Sequence, residues 1–116
     1  MFKVIIAGGR DFNDYDLLKK KVSKILSNKS EIEIVSGTAN GADKLGERYA
    51  KEFNLNLKQF PANWNKFGKR AGYLRNKDMA IYADACICFW DSKSKGTEHM
   101  INLAKSQGIP LRVIKY

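Results

Sequence analysis

The chain is poor in the residues that many chemistries need. It has one histidine, two cysteines and two prolines in 116 residues. A lone histidine, His99, cannot form a histidine cluster, and it is expected at the surface. Cys86 and Cys88 lie two apart on one predicted strand. That spacing suits a disulfide badly and leaves a metal short of ligands, so they read as plain buried thiols. No metal and no cofactor is expected. No apolar run approaches the ~18 residues of a membrane span, and no signal-peptide pattern opens the chain. No linker, low-complexity tract or internal repeat divides it. The expectation is one soluble cytoplasmic domain over residues 1–116, with no membrane partner.

Acidic residues are outnumbered, with 12 Asp and Glu against 21 Lys and Arg and a net charge of +9. Such a balance favours anionic partners: nucleotides, nucleic acid or an acidic protein. Lys19, Lys20, Lys21 and Lys24 fall on the first predicted helix, where they read as a solvated face. Lys58, Lys66, Lys69, Arg70, Arg75 and Lys77 gather mid-chain, and Lys93 and Lys95 in a late loop.

What is present is an alternation of strand and helix. Lys3–Ala7 is a nearly unbroken apolar strand, as at the centre of a parallel sheet. Asn13 or Asp14 caps a helix with Leu17, Leu18, Val22, Ile25 and Leu26 on its apolar face. Glu31–Val35 is a second strand. Asn40 is expected to cap the next helix, with Asp43 answering and Leu45, Tyr49 and Phe53 at helical spacing. Leu55–Phe60 is a third strand, and residues 62–72 form a long irregular stretch, basic and aromatic. Tyr73–Tyr82 reads as helix and Asp84–Trp90 as a buried strand. A last helix opens at Gly96-Thr97 with Thr97 as its cap and stops at Gly108, before strand Ile109–Ile114.

About five strands and four helices in alternation predict an α/β fold: a three-layer Rossmann-like sandwich around a parallel sheet, in the order 3-2-1-4-5. In that order the first and fourth strands are neighbours whose helices leave to opposite faces. The crevice beyond their carboxyl ends is where such folds take ligands.

Three small-residue joints converge there. They are Gly8-Gly9-Arg10, the loop Ser36-Gly37 through Gly41-Ala42-Asp43, and Lys95-Gly96-Thr97. Each offers backbone N–H groups near a helix start, which suits a phosphate. Arg10 can pair with a phosphate through its fork of donors. Arg75, beside Asn76, is either a second anion ligand or a surface charge. Trp90 and Phe12 either stack on a base or pack in the core. Glu98 and Asp43 are the acid/base candidates, although helix-start positions also explain both. No Gly-Lys-Ser/Thr follows the first strand, so there is no Walker loop. Gly8-Gly9-Arg10 also lacks the third glycine of the usual dinucleotide fingerprint.

Taken together, Gly8-Gly9-Arg10-Asp11-Phe12, Ser36 to Asp43, Ala71-Gly72-Tyr73-Leu74-Arg75-Asn76-Lys77-Asp78-Met79-Ala80, Ala83-Asp84-Ala85 and Ser94-Lys95-Gly96-Thr97 resemble, in this order, the YspA-like branch of the SLOG superfamily. The resemblance spans nearly the whole chain. It implies a Rossmann-like fold and a nucleotide-related ligand such as an ADP-ribose derivative or a cyclic nucleotide, sensed or sequestered. It also implies a homo-oligomer.

The superfamily includes LOG phosphoribohydrolases, which cleave the base from a nucleoside monophosphate, and DNA-binding proteins of the DprA type. LOG enzymes carry Pro-Gly-Gly-x-Gly-Thr followed shortly by a catalytic glutamate. Here Lys93 to Met100 lacks the proline and the glycine pair, and Glu98 is offset to another face of its helix. The resemblance therefore implies binding first. N-glycosidase chemistry stands as the alternative, and single-stranded nucleic-acid binding through the Trp64–Arg70 stretch as the third reading.

Overall fold

The computed structural model describes residues 1–116. Period-two alternation along the central strand sets its plan. In β1 (Phe2–Gly8), Val4 and Ile6 face one side, and Ile5 and Ala7 face the other. In β4 (Ala85–Trp90), Ala85, Ile87 and Phe89 join the first side, and Cys86 and Cys88 the second. A strand apolar on both faces has to be covered twice. Helices α1 (Tyr15–Ile25) and α2 (Ala42–Glu52) cover the first side with Leu18, Val22 and Tyr49. Helices α4 (Ala71–Tyr82) and α5 (Lys95–Gln107) cover the second with Met79, Ala80, Met100, Ile101 and Ala104.

The remaining strands are β2 (Ile32–Ser36), β3 (Asn56–Gln59) and β5 (Leu111–Lys115). All five pair in parallel in the order β3-β2-β1-β4-β5, the order expected from the sequence. Ile5 sits between Val35 of β2 and Cys86 of β4. The two central strands therefore end together, beside the starts of α2 and α5. No helix is long and apolar enough to cross a membrane.

Several local expectations are corrected. The stretch 62–72 is not irregular: it holds a one-turn helix, α3 (Trp64–Phe67), and a 3-10 turn over Gly68–Arg70. The turn forms because Asn63 Oδ1 accepts the Lys66 N–H at 3.1 Å, closing a cap that helical periodicity cannot reveal in four residues. Asn40 does not cap α2. Gly41 does, with φ 80° and no side-chain bond. Nor does Thr97 cap α5, which starts earlier: Ser94 Oγ accepts the Thr97 N–H at 3.3 Å. At the first helix, Asp14 is the cap, accepting the Leu17 N–H at 3.0 Å. The paired cysteines are buried and free, with sulfurs 3.5 Å apart. That contact, together with burial, raises the Cys86 pKa well above its ordinary value.

Candidate functional site

A crevice of about 440 Å³ opens beyond the carboxyl ends of β1 and β4. That is within the ~300–1,000 Å³ usual for small-molecule sites. Its floor is apolar, formed by Ala7, Met79 and Met100. Its walls are Gly8, Gly9, Arg10 and Asp11 after β1, Ala39 and Asp43 before and in α2, Arg75 and Asn76 of α4, and Asp91, Ser94, Gly96 and Thr97 around the start of α5. All three predicted joints therefore reach one cavity.

The joints are locked to one another. The carbonyl of Gly9 accepts the Ala42 N–H at 3.2 Å. Gly41 runs so close beneath that a Cβ there would lie 2.2 Å from the Gly9 oxygen, at a positive φ that side chains rarely adopt. The first joint thus rests on the second. On the third, Asn76 Nδ2 donates to the Gly96 carbonyl at 3.4 Å and stands 3.4 Å from His99 Nδ1.

Arg75 ties the crevice wall to the loop after β2. Its Nη1 donates to the Gly37 carbonyl, and its Nε donates to Asn76 Oδ1 at 2.9 Å. A Cβ at Gly37 would meet both Asp43 Oδ2 and the Arg75 guanidinium within 3 Å, so only glycine leaves room for that tie. Partial burial lowers the Arg75 pKa. Asp43 opposes that fall, and the like charge of Arg10 adds to it. Arg10 itself is exposed and makes no ion pair.

The carboxylates are held. Asp43 is 6% exposed, and its Oδ2 accepts the Ala39 N–H at 3.1 Å. Burial pushes its pKa up to about 6, against the pull of the Ala39 N–H and of Arg75. Asp91 Oδ1 accepts the N–H groups of Lys93 and Ser94, each at 2.8 Å, and these bonds lower its pKa. Asp11 Oδ1 takes the Tyr116 hydroxyl at 2.7 Å. The lining thus carries both signs, with two arginines and three carboxylates.

Other predicted site residues lie elsewhere. Ser36 is fully buried behind the loop, where it donates to Glu47 at 2.7 Å and accepts the Thr38 N–H at 3.0 Å. Gly37 lines the neighbouring depression, and Gly41 supports Gly9 from below. Phe12 is core: it is 3% exposed and stacks on Phe89 with centroids 4.8 Å apart, leaving no face for a base. Trp90 packs against the second core face and donates Nε1 to the Ser94 carbonyl at 3.1 Å, outside the crevice lining. Lys95 and Glu98 are exposed and do not line the crevice. The helical period explains this, because Thr97 and Met100 face inward and residue 98 turns away. His99 is half-buried, edge-on to Tyr73 at 4.5 Å, and burial lowers its pKa.

Asp11, Ala39, Asp91 and Ser94 fall in loops that the sequence places at or beside the crevice, but they were not singled out, and Met79 and Met100 were not expected there. Ser94 carried a usable signal, a serine three residues before the first buried residue of a helix. Met79 and Met100 looked like ordinary core positions, and nothing local says that a core side chain also floors a cavity.

The family model described as "YspA, cpYpsA-related SLOG family" matches residues 2–67. The Gene 61 protein of Mycobacterium phage D29 is 33% identical over 121 residues, covering 96% of this chain and 94% of that one. Two solved structures of DNA processing protein A share the fold. The Streptococcus pneumoniae protein superposes with a TM-score of 0.77 at 18% identity over 97% of this chain. The Helicobacter pylori protein superposes with a TM-score of 0.69 at 21% identity, again over 97%. This chain spans 50% of the first and 64% of the second.

Proposed function

The chain belongs to the YspA, cpYpsA-related SLOG family, and we propose that it binds a nucleotide or nucleotide-derived small molecule in the crevice, to sense or sequester it. One observation carries this reading: the crevice lining holds two arginines and three carboxylates. Arg10 and Arg75 line it as like charges that a phosphate would reconcile, and Asp11, Asp43 and Asp91 line it as well. A bare anion would be repelled by the carboxylates. A nucleotide offers phosphate to the arginines and ribose hydroxyls or base N–H groups to the carboxylates, over an apolar floor. The backbone N–H groups of Gly37 and Gly96 are further phosphate donors, whereas those of Gly9 and Thr97 are taken by the Phe89 carbonyl and Ser94 Oγ.

The arrangement supports holding more than cutting. Glu98 points away, and Asp43 is tied to the Ala39 N–H. N-glycosidase activity with Asp43 as the acid remains the enzymatic form of the reading. Release of free base from a nucleoside monophosphate, abolished in Asp43→Asn, would establish it. Self-association belongs to the same reading: α4 leaves Ile81 61% and Leu74 36% exposed on its outer side, and light scattering at rising concentration checks it.

The test of the main reading is a thermal-shift panel of nucleoside phosphates, ADP-ribose derivatives and cyclic dinucleotides. At least one stabilises the protein, and the effect is lost in Arg10→Ala. A flat panel contradicts it.

A second reading has its own observation. Trp64 and Tyr73, 50% and 48% exposed, stand among Lys66, Lys69 and Arg70, an aromatic-basic surface suited to single-stranded nucleic acid. The Helicobacter pylori structure describes a single-stranded DNA binding mode of that protein. Binding of a single-stranded oligonucleotide whose affinity falls steeply with salt supports this reading, and salt-indifferent binding contradicts it.

A further inference from the structure

The crevice does not end at its mouth. Two further depressions adjoin it, of about 400 and 200 Å³, and Arg10 and Arg75 line both as well as the crevice. Trp64 also lines both of the outer two. The ring and the guanidinium share one shelf: a Cβ at Gly72 would lie 3.4 Å from Trp64 Cη2 and 3.7 Å from Arg75 Nη2. The two sides of the arginine pair differ in chemistry. The crevice side carries three carboxylates and no aromatic ring. The outer side carries Trp64, Tyr73 and Lys69 and no carboxylate.

We infer that the ligand is two-headed: a dinucleotide whose phosphates bridge Arg10 and Arg75, with one nucleoside in the crevice and a second base stacked on Trp64. This rests on the nucleotide reading above and adds the second seat to it. Carboxylates suit the ribose hydroxyls of the inner nucleoside. An acid-free surface with an exposed indole suits a base and the adjacent phosphate. Trp64 can serve as a platform because Asn63 and the Gly68–Arg70 turn hold its short helix, while the residue stays half exposed.

The experiment is isothermal titration of the whole chain with ADP-ribose and with diadenosine diphosphate, which differ by one adenine. The guanosine counterparts of both are titrated alongside. In at least one series the two-base compound binds about tenfold tighter or more. Trp64→Ala removes that gain and leaves the one-base affinity unchanged, and Trp64→Phe retains it. Equal affinities, or a gain that survives Trp64→Ala, overturn the second seat while leaving the nucleotide reading standing. No binding of any of the four compounds overturns the second seat, and the nucleotide reading falls with it only if the wider panel is flat as well. A ten-nucleotide single strand binding more than tenfold tighter than the two-base compound assigns the platform to nucleic acid and overturns the proposal.

Discussion

The Arg75 guanidinium donates to the carbonyl of Gly37, 38 residues earlier in the chain. One bond thereby joins the first turns of α4 to the loop between β2 and α2. The same side chain lines the crevice and both outer depressions, so its fork is spent partly on structure and partly on whatever anion enters.

Lysine cannot reproduce that fork. Arg75→Lys keeps the charge but cannot reach the Gly37 carbonyl, Asn76 and a phosphate together. A lost hydrogen bond to a charged group amounts to ~1.5–3 kcal/mol, so the affinity for any nucleotide that stabilises the wild type in the thermal-shift panel falls by roughly ten- to a hundredfold. Isothermal titration reads this, and wild-type affinity in the lysine variant contradicts it.

Two glycines in the site joints separate backbone need from tolerance. Gly41→Ala places a methyl against the Gly9 carbonyl at a positive φ, and costs more than about 1 kcal/mol in urea denaturation. Gly96→Ala meets nothing within 4 Å and sits inside α5, so stability rises by up to about 1 kcal/mol. The reverse ordering would contradict the locked-joint account.

Asp43 makes stability depend on pH. Its folded-state pKa is about 6, whereas the ordinary value is 3.8. Between these values the folded chain holds a proton that the unfolded chain has released. Stability from this group is therefore fully present below about pH 4 and is lost as pH rises through about 6. The total is on the order of 3 kcal/mol. Asp43→Asn removes that slope, so the difference between the two proteins changes from pH 4 to pH 7. Parallel curves in urea contradict it.

Phe12 belongs to the core beside Phe89 and Tyr116, each 4.8 Å away. Phe12→Leu lowers stability by about 1–2 kcal/mol and leaves ligand affinity within twofold. A large loss of affinity with unchanged stability would return Phe12 to the site.

The parts of this fold legible in sequence were those set by repeating patterns. Val4 to Ala7 reads as an apolar strand, and its alternation sorts the two helical layers. Strand–helix alternation with right-handed crossovers then leaves few orders for the sheet. The joints were legible because Gly8-Gly9, Gly37, Gly41 and Gly96 cluster where strands hand over to helices.

What escaped was set by distant partners or very short elements. Phe12 gave no local sign of which ring it would meet, because Phe89 and Tyr116 lie at the other end of the chain. The Trp64 turn is shorter than one helical repeat of the apolar pattern. Arg75 looked equally like a surface charge, since its partner carbonyl belongs to a loop that only the fold brings near.

Amide NMR during titration with a nucleoside diphosphate tests the central claim most directly. The account predicts that the largest shifts fall on Gly9, Arg10, Gly37, Gly96 and Thr97, with the Arg75 side-chain Nε–H moving alongside them. Shifts confined to the far depression at Lys24, Asn28 and Arg112, or no shifts at all, would contradict it.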